Sequence, residues 1–101
     1  MSTSVLSDDM KTVRQIVSSR LQGQDARVYL FGSHATGNAR KYSDIDVAIL
    51  PLKPLSPEIL TEIREALEES DVVRNVDVVD LSETDEKFRR RVEKEGIEWK
   101  E

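Results

Sequence analysis

Apolar residues recur every three or four positions in three stretches of the chain, and this spacing predicts three amphipathic helices. The first, over residues 7–23, opens on Ser7 as an N-cap, carries Asp8 and Asp9 as helix-end acids, and stops at a glycine. The second begins at residue 56 with serine as N-cap and proline at the first helical position. The third, over 82–96, opens on a serine followed three residues later by an aspartate, the pattern of a capping box.

Short runs of strand-forming residues lie between these helices, at 27–31 (RVYLF), 44–50 (DIDVAIL) and 74–81 (RNVDVVDL). The middle run is apolar on both alternate faces after its two aspartates, as expected for a strand covered on both sides. Ile97 and Trp99 alternate after the last helix, as a docked tail or a short edge strand. Helices that alternate with short strands predict one α/β (or α+β) domain over residues 1–101.

Composition excludes several classes of function. The net charge of −5 argues against a basic surface that binds duplex nucleic acid. The absence of cysteine excludes disulfides and thiolate sites, and one histidine is too few for a histidine-rich zinc site. Neither a membrane span of about 18 apolar residues nor a secretion signal is visible. The simplest expectation is a cytoplasmic protein.

Two aspartates stand one residue apart at the start of the middle strand. Residues i and i+2 of a strand share a face, so Asp44 and Asp46 are expected to project side by side and repel each other. Such a pair, taken alone, is more often a solvated turn than a metal site. One Mg²⁺ ion between the carboxylates would remove the repulsion.

A Gly-Ser pair and a third acid favour the metal interpretation. Gly32 and Ser33 follow the first strand, where glycine lets the backbone approach a ligand and the hydroxyl can donate to phosphate oxygens. The third strand offers Asp77 and Asp80 on opposite faces, and Asp77 is preferred because it lies inside the apolar run, while Asp80 is expected to be a structural or capping acid. Together these residues suit phosphoryl or nucleotidyl transfer.

The stretch GSHATGNARKYSDIDVAI, residues 32–49, resembles the signature of the nucleotidyltransferase superfamily that includes DNA polymerase beta: Gly-Ser, ten residues, then Asp-x-Asp. The short chain and the downstream VDVVDL are similar to its minimal branch, the MNT antitoxins. The resemblance implies a nucleotidyltransferase fold, a small mixed β-sheet flanked by helices, with ATP and two Mg²⁺ ions as cofactors. It assigns the triphosphate to Gly32 and Ser33, and the metal ions to Asp44, Asp46 and Asp77, of which Asp77 also helps to activate the attacking hydroxyl.

The resemblance also implies a partner and leaves alternatives open. MNT proteins commonly pair with an all-helical HEPN toxin, an RNase, and neutralise it by transferring AMP from ATP to a toxin tyrosine. The chain departs from the family at His34, where many relatives carry arginine, although Arg40 and Lys41 lie nearby and Arg40 is the predicted cation for the triphosphate. A non-catalytic antitoxin that acts by complex formation, and a transferase subunit for RNA or a small molecule, are the two alternatives.

Overall fold

The computed structural model describes residues 5–37 and 43–99. Within these ranges helices and strands alternate along the chain, and the predicted small mixed sheet flanked by helices is confirmed. In chain order the elements are α1 (Val5–Arg20), β1 (Ala26–Phe31), α2 (Ser33–Thr36), β2 (Ile45–Pro51), α3 (Pro57–Glu68), β3 (Val76–Asp80), a 3₁₀ turn (Leu81–Glu83), α4 (Glu86–Glu95) and β4 (Ile97–Trp99).

The sheet has the strand order β3-β2-β1-β4. β1 runs antiparallel to both β2 and β4, whereas β2 and β3 are parallel and are connected through α3. The alternation at residues 97 and 99 therefore belongs to a short edge strand, one of the two predicted possibilities. Because β2 lies between β1 and β3, both of its edges are paired, and the motif residues at its start lie in the middle of the sheet.

Each face of the sheet has its own apolar cluster. Ile45, Val47 and Ile49 of β2, all fully buried, cluster with residues of α1 and α3. Ala48 on the opposite face clusters with residues of α4, Val92 among them. Alternation along β2 therefore directs Asp46 to the same face as Ala48, the side that α4 covers.

Two predicted helix starts are wrong. Helix α1 already begins at Val5, so Ser7 lies inside the helix and is not its cap. Helix α4 is capped by Asp85, whose carboxylate accepts a hydrogen bond from the Phe88 amide at 2.7 Å. Ser82 lies within the 3₁₀ turn, where its own amide donates to Asp80 at 2.9 Å. Ser82 therefore belongs to the 3₁₀ turn, and the N-cap of α4 is Asp85, three residues later. The predicted cap Ser56 does accept from Glu58 N in α3.

Asp9 is a buried acid, and not the helix-end acid that its position suggests. It is 4% exposed, and its carboxylate accepts hydrogen bonds from the backbone amides of Val73 and Arg74. The Arg74 guanidinium forms an ion pair with the same carboxylate at 3.0 Å. This contact attaches α1 to the segment that leads into β3. No helix within the described ranges is long and apolar enough to cross a membrane.

Candidate functional site

Two of the predicted acids lie side by side on the face of the sheet that α4 covers. Asp46 of β2 and Asp77 of β3 are direct partners in the parallel register, so their side chains lie on the same face of the sheet. The pairing of β2 with β3 thus unites two acids that are far apart in the sequence.

The environment of Asp46 disfavours its negative charge. Burial raises the pKa of Asp46 above its usual value, and the charges of Asp77 and Asp44 raise it further. A positive charge on His34 acts in the opposite direction. An acid whose pKa is raised by burial and by neighbouring acids is typical of a site that receives a cation or a proton.

Asp44 lies just outside the strand that was predicted to contain it. β2 starts at Ile45, whose amide donates to the carbonyl of Asn75 at 2.9 Å. Asp44 is exposed, and its charge acts on Asp46 two residues later. The structure therefore brings all three predicted acids to one end of the β2–β3 pair, with Asp44 on the solvent side.

The Gly-Ser pair forms a turn that lies against Asp46. Gly32 has φ 77° and ψ −153°, a conformation that is essentially limited to glycine. A Cβ atom at this position would overlap with Oδ2 of Asp46 and lie 3.2 Å from its Cγ. Ser33 opens α2, and the amides of Ala35 and Thr36 donate to the Gly32 carbonyl. The turn is thus in contact with the acid pair, as the predicted phosphate-binding role requires.

An open groove of about 900 Å³ contains the three acids. Phe31 and Phe88 line it with their rings edge to face, 5.7 Å apart, and the sequence reasoning did not predict either residue for the site. Arg64 of α3 also lines this groove. For the two phenylalanines, the only sequence signal was the position of Phe31 directly before Gly32. Another groove, between α1 and Trp99, contains none of the predicted residues.

The two basic positions that follow the Gly-Ser turn, His34 and Arg40, differ in what the structure describes of them. Arg40, the predicted cation for the triphosphate, lies outside the described residues. His34, where the resemblance expects arginine, forms a hydrogen bond between its Nε2 and the carbonyl oxygen of Ser43 at 3.0 Å. The histidine ring therefore links α2 to the residue that precedes Asp44, a contact that no local sequence pattern indicates.

The donor set suits a hard cation, although its members are not gathered around one point. Asp44, Asp46 and Asp77 supply carboxylate oxygens, the ligands that Mg²⁺ prefers. In residues 5–37 and 43–99, however, no three acidic or histidine side chains have the spacing of a formed metal site. The acids fit Mg²⁺ by their chemistry, and their side chains would have to rotate toward a shared ion.

These features define a class of protein. A family model, "Polymerase beta, Nucleotidyltransferase", matches residues 14–99, and this chain belongs to that family. The matched range includes the Gly-Ser turn and all three acids. The chain is therefore a nucleotidyltransferase, and the family resemblance of the 32–49 stretch is confirmed.

More particular relatives come from one curated sequence and several solved structures. The chain is 36% identical over 90 residues to "Probable protein adenylyltransferase MntA" of Haemophilus influenzae, which covers 89% of this chain and 77% of that protein. A toxin–antitoxin MntA–HpeT mutant superposes with a TM-score of 0.68 at 25% identity, over 90% of this chain and 71% of the other. A toxin–antitoxin structure with AMP-PNP has a TM-score of 0.65 at 27% identity, over 87% and 73% of the two chains. A structure named as a minimal nucleotidyltransferase has a TM-score of 0.69 at 27% identity, over 89% and 92%.

Proposed function

We propose that this chain is a protein adenylyltransferase that transfers AMP from ATP to a tyrosine of a helical HEPN-type RNase toxin and so acts as the antitoxin. The observation that carries the proposal is the Gly32-Ser33 turn in contact with the Asp46–Asp77 pair. The adenylyltransferase name of the Haemophilus relative supports AMP transfer to a protein. The toxin–antitoxin structures, one of them with AMP-PNP, support a toxin partner and an adenine nucleotide.

The residues have distinct roles in this proposal. The Gly32-Ser33 turn holds the triphosphate, since its backbone and hydroxyl can donate to phosphate oxygens. The tyrosine oxygen bonds to the α-phosphorus of ATP, the bond from that phosphorus to the bridging oxygen breaks, and pyrophosphate leaves. Asp77 accepts the proton of the tyrosine hydroxyl and orients the attacking oxygen. In this proposal Arg40 contacts the triphosphate, as the sequence predicts.

Asp44, Asp46 and Asp77 would together hold two Mg²⁺ ions, which when bound neutralise the phosphate charge that develops during transfer. Burial and the charges of Asp77 and Asp44 raise the pKa of Asp46. Divalent cations bind the ionised carboxylate, so metal affinity should rise with pH. The expected location is the cytoplasm, where the protein would meet both ATP and an RNase.

The test is a transfer assay with the complete chain and its helical partner, which we expect to be encoded by an adjacent reading frame. The wild type is incubated with α-³²P-ATP, Mg²⁺ and the partner, and label on the partner is measured together with its intact mass. We expect Asp46→Asn and Asp77→Asn to abolish transfer. Asp80→Asn is the matched control, because Asp80 lies on the same strand but caps the 3₁₀ turn, a role that asparagine can also fill.

The outcomes separate the alternatives. Label and a mass increase of AMP units on a partner tyrosine, lost only in the Asp46 and Asp77 variants, support the proposal. Neutralisation of the partner without a mass change would show an antitoxin that acts by complex formation. Label on RNA or a small molecule offered in parallel would replace the toxin by another acceptor.

A further inference from the structure

His34 connects the two halves of the site. The ring belongs to α2, directly after the Gly-Ser turn, and its Nε2 lies 3.0 Å from the carbonyl oxygen of Ser43, nine residues later. A carbonyl oxygen can only accept, so Nε2 carries the proton. In the neutral ring Nδ1 is then an acceptor and cannot donate to a phosphate. The geometry therefore gives this histidine a different task from the phosphate-binding cation that the resemblance suggests.

The segment held by this hydrogen bond is the one that carries Asp44. On its C-terminal side, the chain joins the sheet at Ile45, whose amide donates to Asn75. On its N-terminal side, Ser43 is held by His34. Asp44 itself directly precedes β2 and is exposed. It lies between two anchored residues, Ser43, which the histidine contacts, and Ile45.

We propose that His34 is a positioning residue that fixes the backbone at Ser43 and thereby directs the Asp44 carboxylate toward a divalent cation shared with Asp46. The inference rests on the proposed nucleotidyl transfer, and it adds a residue on which metal affinity depends. Residues that orient a metal ligand from outside the coordination sphere commonly change affinity when they are replaced. The ring is also close enough to affect the charge of Asp46, which it favours when protonated.

The two amide side chains provide a matched pair of variants. In His34→Gln the side-chain amide nitrogen can occupy the position of Nε2 and donate to Ser43. In His34→Asn the amide nitrogen corresponds to Nδ1 and cannot reach that carbonyl. Ser19→Ala, an exposed position on α1, is the control for an unrelated substitution.

The first readout is Mn²⁺ binding without nucleotide, followed by electron paramagnetic resonance. We expect His34→Asn to raise the dissociation constant about tenfold, while His34→Gln and Ser19→Ala stay within about twofold of wild type. In the transfer assay, His34→Asn should need a correspondingly higher Mg²⁺ concentration for half-maximal rate. A purely structural role would lower the thermal midpoint without this shift in metal dependence.

The second readout uses the wild type, so it does not depend on how a variant folds. His34 is the only histidine of the sequence, and its ring ¹⁵N shifts report the tautomer without overlap. We expect the Nε2–H form, together with slow hydrogen exchange at the amides of residues 43–46 that becomes fast in His34→Asn. An Nδ1–H tautomer, or equal Mn²⁺ affinity in the Asn and Gln variants, would overturn the inference. A wild type that binds Mn²⁺ but transfers no AMP would instead refute the proposed function.

Discussion

The contact between Gly32 and Asp46 makes a substitution of this glycine the sharpest test of the site. In Gly32→Ala the new methyl group would occupy the space of Asp46 Oδ2, on a backbone with φ 77° and ψ −153°. The side chain of Asp46 must then move, and its position beside Asp77 changes with it. The substitution therefore acts on the acid pair through one added carbon atom.

The magnitude follows from two contributions. Holding a residue other than glycine in this backbone region costs about 1–3 kcal/mol. Forcing the Asp46 side chain away from its preferred rotamer adds about 0.5–1.5 kcal/mol. The sum, about 3 kcal/mol, corresponds to a fall of about 15 °C in the midpoint of thermal unfolding for a domain of this size.

Gly23→Ala is the matched control. Gly23 also has a positive φ, 84°, but a Cβ atom there would meet nothing within 4 Å. We expect a loss of about 1–2 kcal/mol from backbone strain alone, with AMP transfer per folded molecule unchanged. Both variants are assayed well below their midpoints, by calorimetry and by label on the partner. Full transfer by Gly32→Ala, or an equal loss of transfer in Gly23→Ala, would refute the idea that the turn supports the acids.

Three further predictions concern pH, burial and capping. The folded-state pKa of Asp46 is raised, chiefly by burial, so ionisation of this carboxyl disfavours folding. In the metal-free protein, Asp46→Asn should therefore raise the thermal midpoint at pH 7. This gain should disappear as the pH falls toward 3.8, the usual pKa of aspartate. If the gain persisted at acid pH, the charge would not be its cause. Asp9→Ala leaves the Arg74 guanidinium, 9% exposed, without the buried carboxylate that it pairs with, and should cost about 3–5 kcal/mol in urea unfolding; a loss below 1 kcal/mol would contradict that. Asp85→Ala should cost about 1 kcal/mol by removing the cap of α4, whereas Ser82→Ala should cost less. The opposite order in denaturant melts would restore the capping role to the serine.

Local patterns were sufficient to predict most elements of the fold. The apolar run after Asp46 correctly indicated a strand covered on both faces, because α1 and α3 cover one face and α4 the other. The N-cap of α4 was less predictable, since Ser82 and Asp85 are both good N-cap residues and lie only three positions apart. The choice depends on the 3₁₀ turn, which the spacing of the apolar residues does not encode.

Contacts between distant residues account for what the sequence could not predict. Asp9 reads locally as a first-turn acid, and it is buried only because the segment before β3, 65 residues away, places Arg74 beside it. The neighbouring positions of Asp46 and Asp77 likewise depend on the parallel register of β2 and β3. The motif spacing pointed to Asp44 and Asp46, whereas only the sheet shows that Asp46 and Asp77 lie side by side.

β3, the strand that carries Asp77, is an edge strand of the sheet, and Arg64 of α3 forms a hydrogen bond with its backbone. The Asn75 carbonyl points toward β2, so by alternation the Val78 carbonyl points outward, where Nη2 of Arg64 donates to it at 2.9 Å. An uncovered edge strand can pair with a strand of another molecule and begin aggregation. Arg64 donates a hydrogen bond to one of the carbonyl acceptors that such pairing needs and places a positive charge beside it. Next to the acid pair, Arg64 therefore disfavours edge-to-edge association of β3 with another molecule.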